Sequence, residues 1–528
     1  MLAVLVALGL MAQVAPRSNE AMYPVTGTVT DSVTGRPLAR VRVALSLVEG
    51  GDPHYSLVTG ADGRFSFRAP AGRYHLVGER AGYRRQMLND SVNYSTAVLV
   101  GPGKVPSELA FRLHPGAAIS GHVLDDNNEP VDEARVAVYR VGTFQGRRRA
   151  LPLKWTFTDG TGEYRAGDLP AGAYYVMAVA QPWFMKEVAT GVTVQGGDVG
   201  IGWPNVYSGN TVDPRSAALI SLAEGGEATA DLSFVATRGA RLKLHADSGK
   251  PGEANVLMLQ YGLNGQKTMY RNENVDVGAD GCIIANVYPG TYDLMIRWPG
   301  HDGYLYRTVS VSSGDMDVDL SDSQMPKVSG QVRVESTGAG PEVPLQVMFF
   351  DEALGGAVPA ITNADGTFAA SLVAGGPYRV SVTGGKYMVR SVTAAGAKAN
   401  GAVIESLEGG PVKVTIVVTD DVAHIEGMLR RGTQALPGAA VMLIPRNGEA
   451  TAAEDQTDSD GSFNLRELPL GDYDLLILET GEHIEYAQPE VLAQYRDRFR
   501  PVHVAARGVQ KLEIDLDEPA ARPEPPGQ

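Results

Sequence analysis

A short phrase recurs five times along this chain, and it leaves room for little except a string of small β domains. The first copy reads Asp62, Gly63, Arg64, Phe65 and then Pro70, Ala71, Gly72, Arg73, Tyr74. The last reads Asp460, Gly461, Ser462, Phe463 and then Pro469, Leu470, Gly471, Asp472, Tyr473. Three copies lie between, anchored on Gly162 with Tyr164 and Tyr174, on Gly281 with Ile283 and Tyr292, and on Gly366 with Phe368 and Tyr378. An Asp-Gly pair suits a turn that needs positive φ, and the aromatic that follows can then point inward from a strand. The phrase builds a fold and performs no chemistry. Phe65, Phe368 and Phe463 are therefore expected in the core.

The anchor residues fall at 65, 164, 283, 368 and 463, about a hundred residues apart, which is one sandwich domain per copy. Before each phrase a β-branched strand is built around a glycine, as in Val25, Thr26, Gly27, Thr28, Val29 and in Ile119, Ser120, Gly121, His122, Val123. A second strand then alternates at period two, as in Val41, Val43, Leu45 and Leu47. The expected boundaries give a signal segment at 1–20 and repeats at 21–114, 115–236, 237–322, 323–420 and 421–516, then a Pro-rich tail at 517–528. Helical periodicity is confined to 489–499, where Val491, Leu492 and Tyr495 fall toward one side.

Lysine and arginine number 46 against 61 aspartates and glutamates, a formal net charge of −15. A nucleic-acid partner is not expected, since phosphate neutralisation needs a basic face. The one dense basic run, Arg147, Arg148, Arg149 with Lys154, is expected as a solvated loop between strands. Residues 2–15 are apolar apart from Gln13, too short to span a bilayer but right for the core of a signal peptide, so the chain is expected to be secreted or periplasmic. No later segment suits a transmembrane helix. Cys282 is the only cysteine, so no intrachain disulfide can form and the cores must supply stability.

The run from Val25 through Gly35, Arg36, Pro37, Leu38, then Ala61, Asp62, Gly63, Arg64, Phe65 and Ala71, Gly72, Arg73, Tyr74 resembles the carboxypeptidase regulatory-like domain. Tyr207, Ser208, Gly209, Asn210, Thr211, Asp213 and Pro214 are similar to a segment of multi-repeat secreted proteins of that kind. The resemblance implies an all-β fold, a tandem array of five transthyretin-like or Ig-like antiparallel β-sandwich domains. It also implies a carbohydrate-binding-like sandwich that accompanies a catalytic or transport partner without supplying chemistry itself.

Candidate sites are few. A metallocarboxypeptidase zinc site needs a histidine, a glutamate three residues on and a further histidine, and none of the nine histidines shows it. His424 with Glu426, and His483 with Glu485, stand two apart and make no zinc signature. No nucleophile elbow, phosphate-binding glycine loop or dinucleotide fingerprint occurs, so an enzyme is not expected. Gln456, Asp458, Asp460, Gly461, Phe463 and Glu467 reproduce the spacing of an EF-hand loop, with Gln in place of the first Asp. Asp458, Asp460 and Glu467 are thus candidate calcium ligands, and no other cofactor is expected. Asp315, Asp317 and Asp319 line one strand face and read as solvated.

Trp183, Phe184, Trp203 and Tyr207 form the candidate ligand site, because rings in Gly- and Pro-rich surroundings can stack on sugar faces. They can equally pack the segment onto its own sandwich. The leading expectation is an exported, non-enzymatic binding or spacer protein of the cell envelope, with a glycan or an envelope protein as partner. The alternatives are a purely structural protein-protein interaction rod and an accessory subunit of an envelope peptidase or transport system.

Overall fold

The computed structural model describes residues 21–518 except 92–93, 105–107, 145, 183–200, 248–249, 264–266, 302–303, 313, 322–326, 352–355, 373–375, 408–410 and 447–451. The expected signal segment and most of the tail lie outside the described residues. The fold is all-β, and its sheets pair off around separate cores. We read each core with its two sheets as one sandwich and number them one to five along the chain.

The same local plan recurs in each. In sandwich one, strand Tyr23–Asp31 pairs antiparallel with Arg64–Ala69 and parallel with the closing strand Leu109–Leu113. The facing sheet carries His54–Val58, Arg42–Leu47 and Gly72–Glu79 in that order. Opening strands at Ala117–Leu124, Ala240–His245, Lys327–Val334 and Val422–Arg431 repeat the arrangement, each beside a strand that follows a turn and each with a parallel closing partner. The parallel pair is not announced by the sequence. It arises because the first and last strands of a sandwich run the same way and lie side by side.

The repeated phrase explains the geometry. Gly63, Gly162, Gly281, Gly366 and Gly461 all have φ between +70° and +95°. A Cβ at any of them would lie 2.0 to 2.7 Å from a backbone oxygen of the opening strand, so both conformation and space demand glycine. The next anchor aromatic sits directly across from the opening strand's glycine, in the pairs Gly27 with Phe65, Gly330 with Phe368 and Gly427 with Phe463. The ring lies over the bare backbone and all three phenylalanines are buried. The tyrosines of the second turn, Tyr74, Tyr174, Tyr292, Tyr378 and Tyr473, are buried as well. Four of them donate a hydroxyl hydrogen bond to the carbonyl four residues upstream, at 2.5 to 3.1 Å, fastening the turn to the strand it feeds.

One local expectation changes and one is met. Arg147, Arg148, Arg149 and Lys154 do not form a loop but belong to strand Arg147–Phe157, which makes a long hairpin with Arg135–Phe144. Gly146 (φ 71°) turns the hairpin, and near its tip Arg149 and Ala150 are buried, Ala150 in a cluster with Leu263 of sandwich three. The segment 489–499 is a short helix, Pro489–Ala493, followed by a 3-10 turn, Arg496–Arg498. Val491, Leu492 and Tyr495 pack on the outer face of sandwich five.

The sandwiches do not simply follow one another in a line, because the fifth is hydrogen-bonded to the first. It also meets the second, where the Ala487 amide donates to the Gly146 carbonyl (3.0 Å). Sandwiches two and four are joined by Arg147 and Glu405 at 2.7 Å. Leu259 and Met295 of sandwich three pack into the core of sandwich four.

Candidate functional site

The described aromatic candidates turn inward. Trp203 stacks on Phe234 with centroids 5.1 Å apart and planes 10° apart, and so covers the core of sandwich two. Tyr207 is 3% exposed and packs with Ala137, Met177 and Leu263 of sandwich three. Burial pushes its hydroxyl well above the ordinary tyrosine value. Tyr207 thus has no free face for a sugar to stack on, whereas Trp203 is partly buried with one face against Phe234. Trp183 and Phe184 lie outside the described residues.

The calcium-loop candidates are likewise occupied by packing. Asp458 receives Arg73 of sandwich one at both oxygens, Nε to Oδ2 at 2.8 Å and Nη2 to Oδ1 at 3.0 Å, and Oδ1 also accepts the Ala97 amide at 3.1 Å. Gln456 donates to the Asn89 carbonyl (2.7 Å) and accepts from Ser91 Oγ (3.1 Å). Asp460 binds back to Ser462 within its own turn, with Lys104 at 3.9 Å. Glu467 lies on the following strand, Ser462–Pro469, at φ 57°. Asp458, Asp460 and Glu467 do not converge, and among the described residues no group of three acidic, histidine or cysteine side chains is placed to hold a metal. EF-hand spacing needs a loop that wraps its ligands around an ion, whereas Asp458 and Asp460 sit in the tight connection between strands Ala453–Gln456 and Ser462–Pro469 and Glu467 on the second of them.

The remaining candidates are also structural. His483 pairs with Glu454 (2.8 Å), stacks against Tyr94 and does not use Glu485. His424 accepts the Glu467 amide at 3.2 Å. Cys282 is buried, and that burial pushes its thiol up to about 11, so it stays protonated and poorly nucleophilic at neutral pH.

A cleft of about 860 Å³ lies between sandwiches one and two. One wall is the Glu79 to Arg85 stretch, which follows strand Gly72–Glu79. The other is the long hairpin, with Arg140 and Phe144 on its inner strand and Leu151, Pro152, Leu153 and Lys154 on its edge strand. Arg80 lies over the Tyr83 ring at 5.1 Å, and the Tyr83 hydroxyl donates to Asp31 at 2.7 Å. Arg84 reaches Asp90 at 3.5 Å. Burial pushes the Asp90 carboxyl above the ordinary range. Sequence reasoning missed this cleft because its two walls belong to different repeats. The one legible signal was the arginine-rich run around Tyr83, which no motif singles out.

Residues 24–114 and 118–200 match the family model of the carboxypeptidase regulatory-like domain. The first two sandwiches are carboxypeptidase regulatory-like domains. No curated protein matches the chain. Among solved structures, similarity is found to the Bacillus anthracis TIE protein, at 12% identity and TM-score 0.17 over 95% of this chain and 76% of that one. It is found also to a streptococcal ancillary pilin, at 11% and 0.20 over 56% of this chain and 99% of that one. A third is the minor pilin GBS52 of Streptococcus agalactiae, at 14% and 0.21 over 41% and 96%. Likeness at these scores carries no argument about function.

The cleft thus lies between the two regulatory-like domains. Its walls set guanidinium groups beside aliphatic side chains. Among the described residues no helix is long and apolar enough to cross a membrane.

Proposed function

We propose that the protein is an exported, non-catalytic scaffold of the cell envelope that works by binding another envelope protein. The observation that carries this reading is the cleft between the two regulatory-like domains. It is cationic and partly apolar on a chain of net charge −15, and local charge opposite to the overall charge favours a selected partner. The side chains that resembled chemical sites support it, because Asp458, Gln456 and His483 are spent on holding sandwiches in place. An envelope peptidase or transport system served by this chain would be one form of such a partner. Carbohydrate binding finds no support in Tyr207, whose ring is buried.

The test is photo-crosslinking in the envelope fraction of the source cells, with the crosslinker at exposed Leu153 in the cleft or at exposed Ile361 of sandwich four. A discrete protein adduct from position 153 and none from 361 is the expected result. Retention on a glycan array with no protein adduct from the cleft would overturn the proposal in favour of sugar binding.

A further inference from the structure

The cleft between sandwiches one and two has a chemistry more specific than general adhesiveness. Arg80, Arg84, Arg85, Arg140 and Lys154 face it against the carboxylates Glu79, Asp90 and Asp168. The carboxylates are engaged: Glu79 with Arg42, Asp90 with Arg84, and Asp168 with Lys154 at 3.8 Å. Arg80 and Arg140 have no carboxylate partner among the described residues. Arg80 is held only over the Tyr83 ring. Arg140 spends one N–H on the Ala171 carbonyl at 3.3 Å, and Asp90 is a carboxylate whose charge it influences. A guanidinium without an ion-pair partner in a concavity favours an incoming anion.

Beside these cations, Leu151 and Leu153 stand 38% and 48% exposed, with Pro152 between them and Phe144 behind. The occupant must therefore carry both negative charge and aliphatic surface. It must also be elongated, because a second hollow of about 340 Å³ shares Arg84, Asp90 and Arg140 and continues to the 481–484 turn of sandwich five. A polysaccharide would want open flat rings to stack on. The cleft offers aliphatic side chains, and its Tyr83 is already covered by Arg80. Pro152 removes an edge N–H and Lys154 places a charge in the same edge strand, which disfavours a continuous added ladder and leaves recognition to side chains.

We propose that this cleft takes an extended segment of a partner protein in which carboxylates alternate with aliphatic residues. This deepens the scaffold reading and rests on it. Carboxylates meet Arg80 on one wall, and the intervening aliphatic side chains lie on Leu151 and Leu153 of the other. In an extended segment alternate side chains face opposite ways, which matches a cleft with a cationic wall and an aliphatic strand opposite it.

The experiment is fluorescence anisotropy with a labelled synthetic peptide alternating glutamate and leucine, against the full chain. A glutamine-leucine peptide serves as the uncharged control and polygalacturonate as the anionic glycan. Saturable binding is expected only for the glutamate-leucine peptide, weakening as salt rises. Arg80→Glu and Leu153→Glu should each weaken it by roughly tenfold or more. Val33→Glu, at a position 62% exposed and outside the cleft, should bind as the parent does and shows that surface charge alone is not responsible. Equal binding of the glutamine-leucine peptide, competition by polygalacturonate, or indifference to both cleft variants would each overturn the proposal. If the peptide fails while the Leu153 crosslink to an envelope protein persists, the peptide chemistry is wrong and the scaffold reading stands.

Discussion

At the scale of single residues, the fold is held by a glycine facing an aromatic ring. A Cβ on Gly427 would lie 1.9 Å from Phe463 Cζ, so Gly427→Ala forces the ring out of its place. Overpacking of this kind costs about 1–3 kcal/mol, while Phe463→Ala should cost roughly 3–5 kcal/mol through the cavity it leaves. Because several sandwiches unfold in one chain, the measurement is local: hydrogen-exchange protection of the Leu429 amide, which donates to the Gly461 carbonyl at 2.8 Å. The two substitutions should be non-additive in a double-mutant cycle, since they act on one contact. A second prediction concerns Asp31, whose carboxyl is held below the ordinary range by the Tyr83 hydroxyl and then by Thr34 and Val33. A depressed folded value means the carboxylate's stabilising contribution is complete above the unfolded value of about 3.9 and is lost as pH falls through the lower folded value. Protection in sandwich one should decline across that acid window in the parent and not in Asp31→Asn, whose baseline is lower at neutral pH.

At the scale of elements, the phrase around each Gly turn was legible because the same physical demand is written five times. The core positions of Phe65, Phe368 and Phe463 followed from it. The long hairpin was not legible. Arg147, Arg148 and Arg149 read as loop because the strand leaves the core, and Leu151, Pro152, Leu153 break alternation where Val138 and Tyr139 meet a register shift. Arg149 and Ala150 are buried side by side, Ala150 against Leu263 of sandwich three, and burial of that kind carries no period-two signal. Gly146 at its tip lies against Tyr486 of sandwich five, and a Cβ there would fall 2.4 Å from the ring. Gly146→Val should therefore loosen the docking of sandwich five while both sandwiches stay folded. The expected readout is faster exchange at the Ala487 amide, with unchanged protection in the core strands Gly172–Val179 and Gly471–Leu478.

At the scale of the whole molecule, the chain is braced by contacts between residues more than 350 positions apart. Asp458 is 6% exposed and anchors that brace through Arg73 and the Ala97 amide. Asp458→Ala leaves the Ala97 N–H without its acceptor, a loss of about 1–3 kcal/mol for a buried donor. Sandwich one should then part from sandwich five, seen as a larger radius of gyration by solution X-ray scattering. An unchanged radius together with unchanged exchange at Ala97 and Leu99 would show that the brace does not depend on this pair. Sequence alone decided the sandwich plan, because the turn glycines, the ring-covered glycines and the tyrosine hydrogen bonds are local requirements met within one repeat. Tertiary structure alone decided that Asp458 fastens sandwich five to Arg73 and the Ala97 amide of sandwich one, that Tyr207 is covered, and that Arg80 and Arg140 line one cleft. Those outcomes depend on which repeats touch, and contact between distant surfaces is a sum of small complementary terms that leaves no periodic trace along the chain.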